Sequence, residues 1–388
     1  MTHQHCGYFN VLEYEQFEHV RRRMCNRNLK MWILNIIICL FYLQPSIGEL
    51  KQVQTIFRHG NRTPTNGTNV YPNDPYVNET YEPDGLGALT NDGKRLAYKL
   101  GQYFRDRYDD FLGPFYSKKI IQFYSSEVDR VIMTGELVAA GLYPAVGLQR
   151  WNIDLNWQPV PVWPIPAAYN IYGGIFCKGF KKMVSNVEQT DEGVKRYIKE
   201  NKDIYEYLSQ HTGANITQDK VFNLRQILFA QRDIGLELPE WTKPVFPDGK
   251  LDELAASDII IRSRTTKLKQ LTGGIWIKEL LKNVDNYINN SDTRKAFMYA
   301  AHELNIAYLL AALDNFDNQI PYYCNSIIFE LHEEDNEYYV QIFYKNKDNL
   351  RTLQIPGCDD KLCPLDHFRK FVQPVIPQDM ITLCESEN

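Results

Sequence analysis

Apolar residues change period several times along the chain, and each change predicts an element. Leu50 and the run Val53 to Phe57 read as a buried strand that stops at a charged cluster. Residues 65–84 are rich in Asn, Pro and Gly and read as a surface loop. Leu89, Leu96, Ala97, Leu100 and Phe104 recur at helical spacing, and Thr90 suits an N-cap. Ile120 to Tyr124 is again strand-like. A helix then follows, with Val131, Thr134, Leu137, Val138 and Gly141 on one face. Four prolines, Pro159, Pro161, Pro164 and Pro166, make residues 157–168 an extended crossing.

From about Cys177 to Asn290 the pattern is mostly helical, with a break around Pro239, Pro244 and Pro247. Phe297 to Ala301 reads as a strand and Asn305 to Leu313 as a helix. Ser326 to Leu331 and Tyr338 to Phe343 flank an acidic turn and read as a hairpin. Leu350 to Ile355 adds a strand and Pro364 to Val372 a short helix. Strands alternating with helices predict an α/β fold, with a mainly parallel central sheet flanked by helices. Residues 49–165 and 291–388 supply its core, and residues 166–290 form an inserted, mostly helical cap.

Composition narrows the class. The 388 residues carry a net charge of −5 and no long run of one sign, which argues against a nucleic-acid partner. Arg21, Arg22, Arg23, Arg27 and Lys30 precede the apolar run Met31 to Leu43, with small residues at Ser46 and Gly48. Residues 1–48 thus read as a signal peptide with an upstream extension. The apolar run is short for a bilayer span, so secretion without a membrane anchor is expected. Cys358 and Cys363 are near enough to close a small disulfide loop. Acceptor sequons for glycosylation stand at Asn66, Asn78, Asn215 and Asn289. No spacing suggests a metal site, and no cofactor motif is found.

The chemistry gathers at strand ends. Phe57-Arg58-His59-Gly60-Asn61-Arg62-Thr63-Pro64 places an imidazole between two guanidinium groups. Arginine forks bind phosphate oxygens bidentately, and a neutral histidine can attack phosphorus. Ser125-Ser126-Glu127-Val128-Asp129-Arg130 follows the second strand, and His302-Glu303 ends a third. These motifs resemble the histidine acid phosphatases, branch 2 of the histidine phosphatase superfamily. Leu89-Thr90-Asn91-Asp92-Gly93 is similar to another element of that family.

The resemblance implies that His59 is the nucleophile and that Arg58, Arg62, Arg130 and His302 bind the phosphoryl group. Glu303 would be the acid that protonates the leaving oxygen, although the family more often has aspartate there. For that role Glu303 is expected to be protonated in the free enzyme, giving an acidic optimum. The resemblance also implies a Cys177–Cys384 disulfide and makes a homodimer an expectation. Cys324 sits near a position where relatives carry another bridge, but it has no obvious partner here and is expected to be free and buried. The leader-like segment, the His-Glu pair and the Tyr- and Asn-rich cap look most like insect secreted or venom acid phosphatases. The reading is a secreted, metal-independent acid phosphatase acting on small-molecule or protein phosphate monoesters. Its rivals are a phytase-like or lysophospholipid phosphatase, a mutase, and a secreted phosphate-binding protein without turnover.

Overall fold

A computed structural model of the chain describes residues 48–65, 71–165, 178–358 and 362–385. The expected signal peptide, Asn66 and Cys177 lie outside them. Strand β1 (Glu49–Arg58) is followed by α1 (Asn91–Leu112), β2 (Ile121–Ser125), α2 (Asp129–Leu142) and β3 (Val162–Pro164). Among the described residues seven helices come next: α3 (Lys178–Thr190), α4 (Glu192–Glu200), α5 (Lys202–Thr212), α6 (Gln218–Asp233), α7 (Lys250–Ile261), α8 (Thr266–Leu271) and α9 (Gly273–Ile288). The chain then returns through β4 (Ala296–Ala301), α10 (Glu303–Ala312), β5 (Ser326–Glu334), β6 (Glu337–Asn346), β7 (Asn349–Thr352), β8 (Cys363–Pro364) and α11 (Leu365–Val372). A final short helix, α12, spans Met380–Glu385.

The strands form one sheet in the order β3-β2-β4-β1-β5-β6-β7, with β8 paired to β6. Its core, β3-β2-β4-β1, is parallel. From β5 onward the sheet is antiparallel, a rim begun by the expected hairpin β5-β6.

Both faces of the sheet are covered, which explains why its strands read as continuous apolar runs. Val53 and Phe57 of β1, with Met298 and Ala300 of β4, pack under α1 and α2 against Leu100, Phe104 and Val138. The alternate residues Ile56, Phe297 and Tyr299 meet Trp276, Leu280 and Val284 of α9, Leu309 of α10 and Phe368 of α11 on the other face. The last helix before β4 therefore lies on the sheet itself. Between α5 and α7 a separate apolar cluster joins Leu208, Val221, Leu228, Phe246 and Leu254. The proline-marked break falls between α6 and α7, where a short 3₁₀ turn spans Glu240–Thr242.

The Cys358–Cys363 disulfide is formed, and Cys324 is free and buried. Cys384 is disulfide-bonded. Asn78, Asn215 and Asn289 are exposed. Among the described residues, no helix is long and apolar enough to cross a membrane.

Candidate active site

Sheet register brings the predicted residues together. Arg58 pairs with Ala301 across β1 and β4, so the following residues, His59 and His302, leave the sheet side by side. Their ring centroids are 5.5 Å apart. Ser125 of β2 pairs with Ala300 of β4, which sets Ser126 beside His302, with Ser126 Oγ 2.9 Å from its Nε2. Ligand sites of parallel α/β sheets lie at such carboxyl ends.

The loop after β1 stays packed inside the protein. The His59 amide donates to Ala301 O at 3.0 Å, and Thr90 N donates to Asn61 O at 2.9 Å. Gly60 N donates to Thr134 Oγ1 of α2 at 3.2 Å. A side chain on Gly60 would put its Cβ 2.4 Å from the Gly93 carbonyl oxygen, and one on Gly93 would lie 2.2 Å from Asn61 O. The Leu-Thr-x-x-Gly element is therefore more than a helix start. Thr90 caps α1 by accepting from Gly93 N at 3.1 Å, while Gly93 lets that helix end close on the loop after β1.

His59 Nδ1 lies 2.8 Å from the Gly60 carbonyl oxygen. A carbonyl only accepts, so Nδ1 carries the hydrogen and Nε2 keeps its lone pair. Burial, reinforced by Arg130, Arg58, His302 and Arg62, holds the imidazole well below its ordinary pKa. His59 is neutral, and after burial the causes of that shift are the surrounding cations themselves.

Arg58 is fully buried. Its Nη1 donates to Pro321 O at 2.7 Å, and its guanidinium stacks on Tyr323 at 4.2 Å. Its Nε faces Glu303 Oε2 at 3.1 Å, while Nη2 has no hydrogen-bond partner among the described residues. A buried donor of this kind is costly unless an acceptor reaches it, and a phosphate oxygen would. Arg62 is also buried and donates to Thr63 O at 2.9 Å. Arg130, half-buried in the first turn of α2, points its Nη1 toward Gly87 O at 3.4 Å. His302 is the N-cap of α10, and its backbone N–H donates to Asn305 Oδ1 at 2.8 Å. Burial, followed by Arg130, brings its pKa down to about 3 despite the nearby Glu303.

Glu303 differs from expectation. Burial opposes its charged form, but Arg58, His302 and Arg62 overcome this and bring the carboxyl down to about 2. The predicted protonated acid is a carboxylate among these neighbours. The extra methylene brings Oε2 within 3.9 Å of His59 Nε2. Donor atoms of His59, His302 and Glu303 all lie within 4.8 Å of one another, a spacing that could suit a metal. Three guanidinium groups around them favour an anion over a cation.

Several contacts escape sequence reasoning. Gln226 of α6 donates from Nε2 to Glu303 Oε1. Tyr323 lies beside both Arg58 and His59. The helix α6 buries Arg225, Gln226 and Gln231 along with its apolar residues. Polar side chains within so buried a helix are the one signal that points to it.

Residues 49–345 match the family model described as histidine phosphatase superfamily, branch 2. The chain is 36% identical to a venom acid phosphatase of Apis mellifera, over 91% of this chain and 92% of that protein. It is 32% identical to the prostatic acid phosphatase of Bos taurus, over 92% and 94% respectively. The solved phytase of Citrobacter braakii shares the fold, with a TM-score of 0.62 at 18% identity, over 87% of this chain and 99% of that one. Sequence and fold together place the chain in branch 2 of the histidine phosphatase superfamily, to which it belongs.

Proposed function

We propose that the chain is a secreted acid phosphatase that hydrolyses phosphate monoesters through a phosphohistidine on His59. The observation that carries this reading is a neutral His59, its Nε2 unprotonated, set among Arg58, Arg62 and Arg130 and 3.9 Å from a carboxylate. The arginines and His302 would hold the phosphoryl oxygens. Nε2 attacks phosphorus, and the bond to the leaving oxygen breaks as that oxygen takes a proton from Glu303. In the second step water gives a proton to Glu303 and attacks phosphorus. The P–N bond breaks, and its electron pair returns to Nε2.

The pKa directions account for acid activity. A histidine with an ordinary pKa of about 6.5 would be quenched by protonation at acidic pH, whereas His59 stays neutral there. Glu303 carries no proton of its own at such pH. A monoanionic ester, whose second ionisation lies at about pH 6, brings one and hands it to Glu303, which then gives it to the leaving oxygen. A bound phosphoryl group also competes for Arg58 and so raises Glu303. Rate should therefore fall as pH rises through neutrality, with no loss down to well below the usual histidine range.

The test is metal-free hydrolysis of an aryl phosphate with alkaline-quench capture of the phosphoenzyme. Wild type should turn over at acidic pH and form a base-stable phosphohistidine. His59→Ala should lose about 10³-fold or more. A wild type that binds phosphate without turnover would leave the binding-protein rival standing.

The expected homodimer has a fitting surface. Trp151, Trp157 and Trp163 are 60%, 41% and 55% exposed around β3, the last strand on that side of the sheet among the described residues. Light scattering should give a dimer mass for wild type and a monomer mass for Trp163→Glu. A wild-type monomer would end that reading.

A further inference from the structure

We infer that Gln226 is a positioning residue that decides which oxygen of Glu303 carries the catalytic proton. The inference rests on the reading of Glu303 as proton donor. The two carboxylate oxygens sit in different surroundings. Oε1 accepts the Gln226 side-chain N–H. Among the described residues Oε2 has no hydrogen-bond partner, and it faces both Arg58 Nε, at 3.1 Å, and His59 Nε2, at 3.9 Å. Once a bound phosphoryl group draws Arg58 away from Oε2, Oε1 still accepts the amide N–H while Oε2 accepts none, so protonation goes to Oε2. That oxygen lies on the side where phosphorus will bond to Nε2 and where the leaving oxygen, and later water, must be reached.

The amide is itself held in one orientation. Arg225 Nη1 donates to Gln226 Oε1 at 3.2 Å. Turned round, the amide would set its NH₂ against that guanidinium and its oxygen against the carboxylate, two repulsive contacts in place of two hydrogen bonds. Arg225 is fixed in turn by Asp252 of α7, with Nε 2.8 Å from Oδ1, and it stacks on Phe229 at 4.1 Å. A chain of four side chains, Asp252, Arg225, Gln226 and Glu303, thus runs from the helical segment to the proton donor. It also suits glutamate in particular, since the longer arm reaches both Gln226 and Arg58.

The experiment measures kcat for p-nitrophenyl phosphate and for glycerol 2-phosphate, across about pH 4 to 7, in wild type and Gln226→Met. A poor alkoxide leaving group depends on the proton far more than a nitrophenolate does. Gln226→Met should slow the glycerol ester about tenfold more than the aryl ester. Loss of a donor to the carboxylate also raises its pKa, so the alkaline limb of kcat should move to higher pH. Arg225→Met, which only unlocks the amide, should shift both readouts in the same direction by less. It carries the test alone if Gln226→Met does not fold. Equal slowing of both esters with an unmoved limb would reduce Gln226 to packing and overturn the inference. Capture of the phosphoenzyme separates the two claims. Wild type without phosphohistidine sinks the underlying mechanism, whereas phosphohistidine with wild-type leaving-group dependence in both variants sinks only the role of Gln226.

Discussion

Two regions meet at Glu303, and they contribute in different ways. The carboxyl ends of β1, β2 and β4, and the segments that follow them, supply charge and the proposed nucleophile: Arg58, His59, Arg62, Arg130 and His302. Helix α6 supplies neutral and paired groups. Gln226 touches the carboxylate, and Arg225 is tied to Asp252. The strand ends are fixed by backbone register, one hydrogen-bonded pair after another. The helix reaches the site through side chains alone. A rigid sheet can hold several like charges together because the backbone does not yield to their repulsion, and a helix packed across it can tune the one carboxylate it touches, the proposed proton donor.

The comparison predicts that damage to the strand ends is large and indifferent to the leaving group. Arg58→Met keeps the length of the side chain and removes the fork. The variant loses a phosphate ligand, and Glu303 loses the guanidinium that does most to favour its charged form. Turnover of aryl and alkyl esters alike should fall about 10²- to 10³-fold, and Glu303 should titrate higher than in wild type. Steady-state kinetics on both esters checks this. A loss of less than about tenfold, with a larger loss in Gln226→Met, would invert the assignment of roles.

The same contrast explains what could be read from the sequence. The strands of the parallel core announce themselves as buried apolar runs, and Arg58-His59, Ser126 and His302 follow where those runs stop. Contiguity along the chain made that chemistry legible. Thr90 as a cap was legible for the same reason. Gln226 lies 77 positions from the residue it touches, and α6 is buried on so many sides that no single apolar stripe marks its orientation. The ionisation of Glu303 was misjudged because it depends on the distance to Arg58, which no spacing in the sequence encodes. The antiparallel rim was half legible. The β5-β6 hairpin showed its turn, whereas β8 adds only two paired residues, Cys363 and Pro364, and carries no pattern of its own.

A milder perturbation probes the far end of α6. Asp74, in the loop after β1, accepts from Gln231 Nε2 through both carboxylate oxygens at 2.9 Å, and its Oδ1 also accepts from Tyr76 N at 2.9 Å. The loop is further held by Tyr76 Oη donating to Glu237 O at 2.8 Å. Asp74→Asn keeps the Oδ1 acceptor, and with it the local turn, but removes the charge that strengthens the bond to Gln231. Hydrogen bonds to charged groups are worth about 1.5–3 kcal/mol and neutral ones about 1, so a loss of about 1 kcal/mol of stability in urea unfolding is expected. Gln226 lies more than a helical turn away from Gln231 and is fixed by Arg225, so the leaving-group dependence should stay as in wild type. If Asp74→Asn instead changed the ratio of alkyl to aryl turnover, α6 would be acting on the proton donor as a whole rigid rod. The chain from Asp252 would then be only one of its anchors.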